Sequence, residues 1–197
     1  MRNREQAHRI LEVFTRYGFE RTSIVMLAEA MGVARQTVYN RFGGKEEVLT
    51  WAIDTLAHAL RQEACEHLEC SDDSTEAALA KALGAWLAPL VGLRISGPHS
   101  YTILGIGTAL RRRAEGSTML ASLSSDLARF LQRRQVCADR ASANTMTHLM
   151  VLAARGAMLT ATNESEYRAS ISKALRGLDL TCKVDPRASA PRIRRTA

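Results

Sequence analysis

Apolar residues recur along this chain with the three- and four-residue spacing of helices, and no stretch alternates with the two-residue period of a strand. Ala7, Ile10, Leu11, Phe14 and Tyr17 form the first stripe, and Gly18 behind them suits a left-handed helix end. Ile24, Leu27, Ala28 and Met31 form the second, with Thr22 or Ser23 as its cap and Gly32 as its turn. Val33 then plugs the angle before a short helix over about Arg35 to Arg41. On that helix Val38 points inward, Gln36 and Asn40 point away, and Thr37 and Tyr39 lie on the flanks. A helix so short needs tertiary support.

The rest of the pattern predicts a larger helical body. A helix from Lys45 to about Leu68, with Leu49, Ala52, Ile53, Leu56 and Leu60 as its stripe, would be about 36 Å long. After the polar turn Cys70 to Ser74, the next helix turns Ala78, Leu79, Ala82, Leu83, Trp86, Leu87 and Leu90 inward. Gly97-Pro98 breaks the chain and restarts a helix, with Pro98 at its first position. That helix ends in Arg111-Arg112-Arg113, cations suited to a helix C-terminus. Ser117 opens a helix through Met119, Leu120, Leu123, Leu127, Phe130 and Leu131. Asp139 is the expected cap of the next, which is apolar nearly all round through Ala161. Ser165 is the expected cap of the last, with Ile171, Ala174, Leu175 and Leu178 inward. The fold expected is all-α, with about nine helices in total. Residues 1–47 are expected to form a helix-turn-helix domain, 48–182 a larger helical domain, to which the family resemblance given below adds effector binding and dimerisation, and 183–197 a basic, disordered tail.

Helix, glycine turn and short polar-faced helix together form the layout of a DNA reader. Arg35 can bond guanine bidentately, Gln36 can pair with adenine and the Thr37 methyl can touch thymine. Tyr39, Asn40 and the Thr22 or Ser23 hydroxyl suit phosphate oxygens. Lys45 stands at a helix N-terminus, where a cation opposes the helix dipole while Glu46 and Glu47 complement it. A phosphate bound at that end would reconcile the three. Stripes of this kind also occur in small helical modules that only contact protein.

Charge changes the picture little. The net charge is +7, but residues 1–50 hold 8 basic and 6 acidic side chains, against 5 and 1 in residues 183–197. The reading domain therefore depends on placed contacts as well as bulk charge. The apolar content of 46% is ample for a core. The polar N-terminus has no signal peptide, and no stretch approaches the ~20 apolar residues that span a bilayer, the longest candidate being Tyr101 to Leu110. A soluble, cytoplasmic protein without membrane contact is the expectation. Cys65, His67 and Cys70 hint at zinc, but the two cysteines splay on a continuous helix, and no metal site is assigned. No nucleophile–base pair or phosphate-binding glycine loop is visible, so no enzyme activity and no cofactor are expected.

Residues about 7 to 50 closely resemble the N-terminal domain of TetR-family transcriptional regulators. The resemblance runs through Ile10 to Phe14, Tyr17-Gly18-Phe19, Thr22-Ser23, Leu27-Ala28, Met31-Gly32-Val33, Thr37-Val38-Tyr39, Phe42 and Lys45-Glu46, in order and without a gap. It implies a homodimeric repressor released from a palindromic operator by a small-molecule effector, with the last two long helices pairing across a two-fold axis. Carried onto this sequence, Arg35, Gln36, Thr37, Tyr39 and Asn40 would face the major groove and its walls, and Thr22 and Lys45 would touch phosphates. Ala34 departs from the family's usual serine, and Gly43-Gly44 replaces a small-polar loop. The apolar body helices predict a largely hydrophobic effector, with Trp86, His99, Tyr101, His148 and Met150 as candidate pocket residues. The competing reading is a helical protein-interaction adaptor that has lost DNA reading.

Overall fold

A computed structural model describes residues 2–70, 72–103, 119–178 and 180. Among them all regular structure is helical: α1 (Arg2–Arg21), α2 (Ile24–Met31), α3 (Arg35–Phe42), α4 (Lys45–Glu69), α5 (Thr75–Ile95), α6 (Met119–Arg133), α7 (Arg140–Thr160) and α8 (Glu164–Arg176). A further helical turn opens at 100–103. The expected arginine cluster at 111–113, the cap at Ser117 and the basic tail lie outside the described residues.

Local chemistry explains the element ends. Ser23 caps α2 by accepting the Met26 N–H at 3.3 Å, and Gly32 ends it with φ 68°, ψ 37°. Gly18 interrupts α1 with φ 79°, ψ 163°, a conformation costly to any side chain. Ser74 caps α5 and Asp139 caps α7, each accepting an N–H three residues on. The cap of α8 is Asn163, not Ser165, which lies inside the helix. Asn163 Oδ1 accepts the Glu166 N–H at 2.9 Å, while the Glu166 carboxylate reaches back to the N–H and hydroxyl of Thr162. This two-way bonding satisfies donors that Ser165 could not reach.

Two further expectations need correction. Pro98 lies in the turn before helix resumes at Ser100, not at the first helical position. And α5 is long and apolar enough to cross a membrane by length and composition, with a mean hydropathy of 1.4 over 18 residues. Most of that stretch is buried inside the helical body, including Leu79, Leu83, Trp86, Leu87 and Val91. A helix covered on several sides becomes apolar all round without any membrane. It even holds Pro89 in its interior, a residue absent from the sequence pattern's stripe.

One continuous core joins the reading helices to the body. α1 runs antiparallel to α4: Lys45 at the start of α4 meets the end of α1, whereas Arg4 near the start of α1 pairs with Glu63 at 2.7 Å. α5 lies between α4 and α8, and the buried Tyr167 hydroxyl of α8 donates to Leu83 O of α5 at 3.1 Å.

Candidate nucleic-acid interface

The chain from 22 to 45 is built to display α3. Val38 is its buried anchor and Phe42 packs on the core beside it. Arg35, Gln36, Thr37, Tyr39, Asn40 and Arg41 are all exposed, an uncommon density of hydrogen-bonding groups on two turns. They are ordered by one another. The Gln36 amide donates to Asn40 Oδ1 at 2.9 Å, and Arg35 donates to the Tyr39 hydroxyl at 3.3 Å with its guanidinium 5.3 Å from that ring. Such side-chain pairs one turn apart hold polar groups extended in solvent, ready to exchange partners for base edges or phosphates.

Ser23 is exposed at the start of α2, but Thr22 is not available to a phosphate. Its side chain is buried and its hydroxyl donates to Gly18 O at 2.7 Å. Thr22 therefore closes the end of α1, its hydroxyl and its own N–H both donating to Gly18 O. Lys45 is likewise engaged. Its Nζ donates to Phe19 O at 2.9 Å and Glu20 O at 3.2 Å, and sits 4.6 Å from the Phe19 ring. The carbonyl end of α1 attracts the cation that the amide end of α4 disfavours, so no phosphate is needed to explain it. Ala34 supplies no side-chain cap to α3, and Gly43, at φ 87°, ends that helix.

A residue of this face went unremarked in the sequence. Arg41 places its guanidinium 4.8 Å from the Phe42 ring and 4.9 Å from the Trp51 ring of α4, and the two rings are 5.3 Å apart. A basic residue flanked by aromatics one and ten positions on was the available signal.

Behind the reading domain, the segment after α5 grips the end of α1. His99 N–H donates to Thr15 O at 3.0 Å, and the Thr15 and Ser96 hydroxyls lie 3.0 Å apart. A Cβ on Gly97 would meet Thr15 O at 2.3 Å, and one on Gly18 would meet the His99 ring at 3.2 Å. Only glycines allow this approach.

The candidate effector residues are dispersed. Trp86 and Met150 are buried, His99 is half-buried at the grip on α1, and Tyr101 and His148 face solvent. The indole N–H of Trp86 and the hydroxyl of Thr147 are buried without a hydrogen-bond partner among the described residues. Elsewhere, Cys65 lines a cleft of about 310 Å³ between α4 and α6 with Asp126, Arg129 and Arg133. Burial, then the neighbouring Asp126 carboxylate, raises its thiol above the usual range.

A short helix anchored from beneath and presenting polar groups is the arrangement of a helix-turn-helix DNA reader. The family described as bacterial regulatory proteins, tetR family, matches residues 8–50, the stretch that holds α2, α3 and the start of α4. A relative from Bacillus subtilis, the HTH-type transcriptional regulator YezE, is 34% identical over 70 residues, which is 36% of this chain and 36% of that protein. The fold is similar to a transcriptional regulator from Rhodococcus (TM-score 0.66, 20% identity, 93% of this chain and 99% of that one). It is also similar to a TetR-family regulator from Mesorhizobium loti (TM-score 0.60, 19% identity, 89% and 94% covered). The third is PfmR from Thermus thermophilus (TM-score 0.52, 24% identity, 88% and 95% covered).

Proposed function

We propose that the protein is a homodimeric repressor that binds a palindromic operator and leaves it when a small molecule occupies the helical body. The exposed polar face of α3, anchored by Val38 with Phe42 beside it, carries this reading. Arg35, Gln36, Thr37 and Asn40 read base edges, while Ser23 and Tyr39 bond phosphates. Two such helices would lie about 34–36 Å apart on one face of the duplex. The domain division follows: residues 1–47 read DNA, and 48–182 bind effector and dimerise. The setting is cytoplasmic, where the DNA is.

Dimerisation is assigned to α7, whose Leu149, Leu152 and Leu159 are about half exposed in one stripe beside Gly156. A second copy covering that stripe would remove apolar surface from water. The effector is assigned to the space around Trp86 and Met150. The Trp86 N–H and Thr147 hydroxyl, buried without a partner among the described residues, suit a largely apolar ligand carrying a hydrogen-bond acceptor. His99 would take part through its grip on Thr15 and Gly18, as the piece that feels the body and holds the reader. A ligand that favours a different seating of residues 96–99 shifts the population away from the DNA-binding form.

The test is selection of random duplexes by the purified protein at about 150 mM salt, a concentration that suppresses weak non-specific retention. A recovered palindrome that Tyr39→Ala/Asn40→Ala no longer binds is the expected result. Recovery of no consensus in the absence of ligand, with protein partners retained instead, would establish the adaptor reading.

A further inference from the structure

The reading helix carries an arginine on each flank. At roughly 100° per residue, Arg35 lies beside Tyr39 on one side of the exposed face, and Arg41 lies about 40° beyond Thr37 on the other. A helix lying in the major groove meets a phosphate wall on both sides. The Tyr39 side has its hydroxyl and Arg35. The Thr37 side has Arg41 as its cation. An unrestrained arginine there would lose rotamer freedom on meeting a phosphate. Arg41 is not unrestrained: its guanidinium sits against the tilted pair of Phe42 and Trp51, 4.8 Å and 4.9 Å from the rings.

We propose that Trp51 is a positioning residue for DNA binding, which fixes Arg41 as a backbone contact by holding its guanidinium between its own ring and Phe42. This rests on the DNA-reading function. A guanidinium held against aromatic faces can still turn N–H groups outward to phosphate oxygens, a geometry lysine cannot copy. Because Trp51 belongs to α4 and Arg41 to α3, the clamp also makes this contact depend on how α4 is seated. A shift of α4 then alters a phosphate contact directly, in addition to moving the whole reader.

The experiment measures affinity for the selected operator duplex against salt, using the full chain. Arg41→Gln should lower affinity and flatten the log–log salt slope by about 0.9 for each protomer bound, one phosphate contact's worth. Trp51→Ala should lower affinity roughly two- to fivefold per protomer, the range of an exposed cation–π contact. In the Arg41→Gln background, the same Trp51 change should cost nothing further. Trp51→Phe, which keeps an aromatic face, should restore most of the loss. Equal cost of Trp51→Ala in both backgrounds would make Trp51 merely structural and overturn the proposal. If the alanine variant does not fold, Arg41→Lys decides: it keeps the charge and the salt slope but should lose affinity, and unchanged affinity would overturn the clamp. An unaltered slope in Arg41→Gln overturns the contact while leaving the DNA-reading function intact, whereas wild-type protein that retains no duplex overturns both.

Discussion

Thr22 shows what a side chain's partner decides. A hydroxyl two residues before a helix suggests a phosphate ligand, yet this one is buried and donates to Gly18 O at 2.7 Å. Thr22→Val keeps the shape and removes the donor, so it should cost about 0.5–1.5 kcal/mol of stability. Operator affinity of the folded fraction should stay unchanged. A gel-shift titration at a temperature where both proteins are folded checks this, and weakened binding there would return Thr22 to the interface. Gly97 makes the complementary point at the other side of the junction. Its α-carbon faces the Thr15 carbonyl so closely that a methyl would sit 2.3 Å from the oxygen. Gly97→Ala must push residues 96–99 off α1, breaking the His99–Thr15 bond with it. Thermal unfolding should show a loss of about 1–3 kcal/mol, the usual cost of overpacking. Gly92, with nothing within 4 Å of an added Cβ, is the control expected to lose none of this.

At the scale of elements, the ends of helices carry the clearest predictions. α3 opens without a side-chain cap, since Ala34 precedes it. Ala34→Ser should stabilise the protein by about 0.5–2 kcal/mol in chemical denaturation, provided its hydroxyl reaches the Thr37 N–H. The caps of α7 and α8 also set an acid limit. Hydrogen bonds from Ser142 lower Asp139 below its ordinary 3.8, and those from Thr162 lower Glu166 below its ordinary 4.5. Each carboxylate binds its proton less readily folded than unfolded. Its contribution is therefore complete above the ordinary carboxylate range and is lost as pH falls through the lowered folded value. Asp139→Asn and Glu166→Gln together should flatten the acid limb of a stability–pH curve, and an unchanged limb would mean that other carboxylates govern it. These ends also show what the sequence could carry. The stripes of α1, α2, α4 and α5 and the outward face of α3 are local periodicities, and Val38 and Asn40 fall where they predict. Asn163 and Asp139 are both local caps, but choosing Asn163 over Ser165 requires knowing where Glu166 folds back. Lys45 was beyond reach, because its acceptors lie 25 and 26 residues away in sequence, at the end of another helix. The same holds for the grip of residues 96–99 on Thr15.

For the whole molecule, the question is what α7 leaves uncovered. Its inner face, with Ala143, Met150, Val151 and Ala154, is fully committed to the core. Its outer face keeps Leu149, Leu152 and Leu159 at 49%, 49% and 52% exposure, flanked by Thr145 and Gly156 at helical spacing. Scattered exposed leucines need no explanation, but a stripe along one helix is a surface that gains by being covered. Gly156 lets a second backbone come close at the middle of it. Pairing two copies here would also convert two weak half-site contacts into one intramolecular event, raising operator affinity by orders of magnitude without any new DNA contact. Leu152→Glu places a charge at the centre of the stripe, where burial without a partner is costly. Light scattering should find this variant monomeric and still helical by circular dichroism. Its affinity for a full palindrome should fall to that for a single half-site, while its response to half-site sequence is kept, since α3 is untouched. A Leu152→Glu protein that remains dimeric and binds the palindrome undiminished would move the two-fold axis to another face of the molecule.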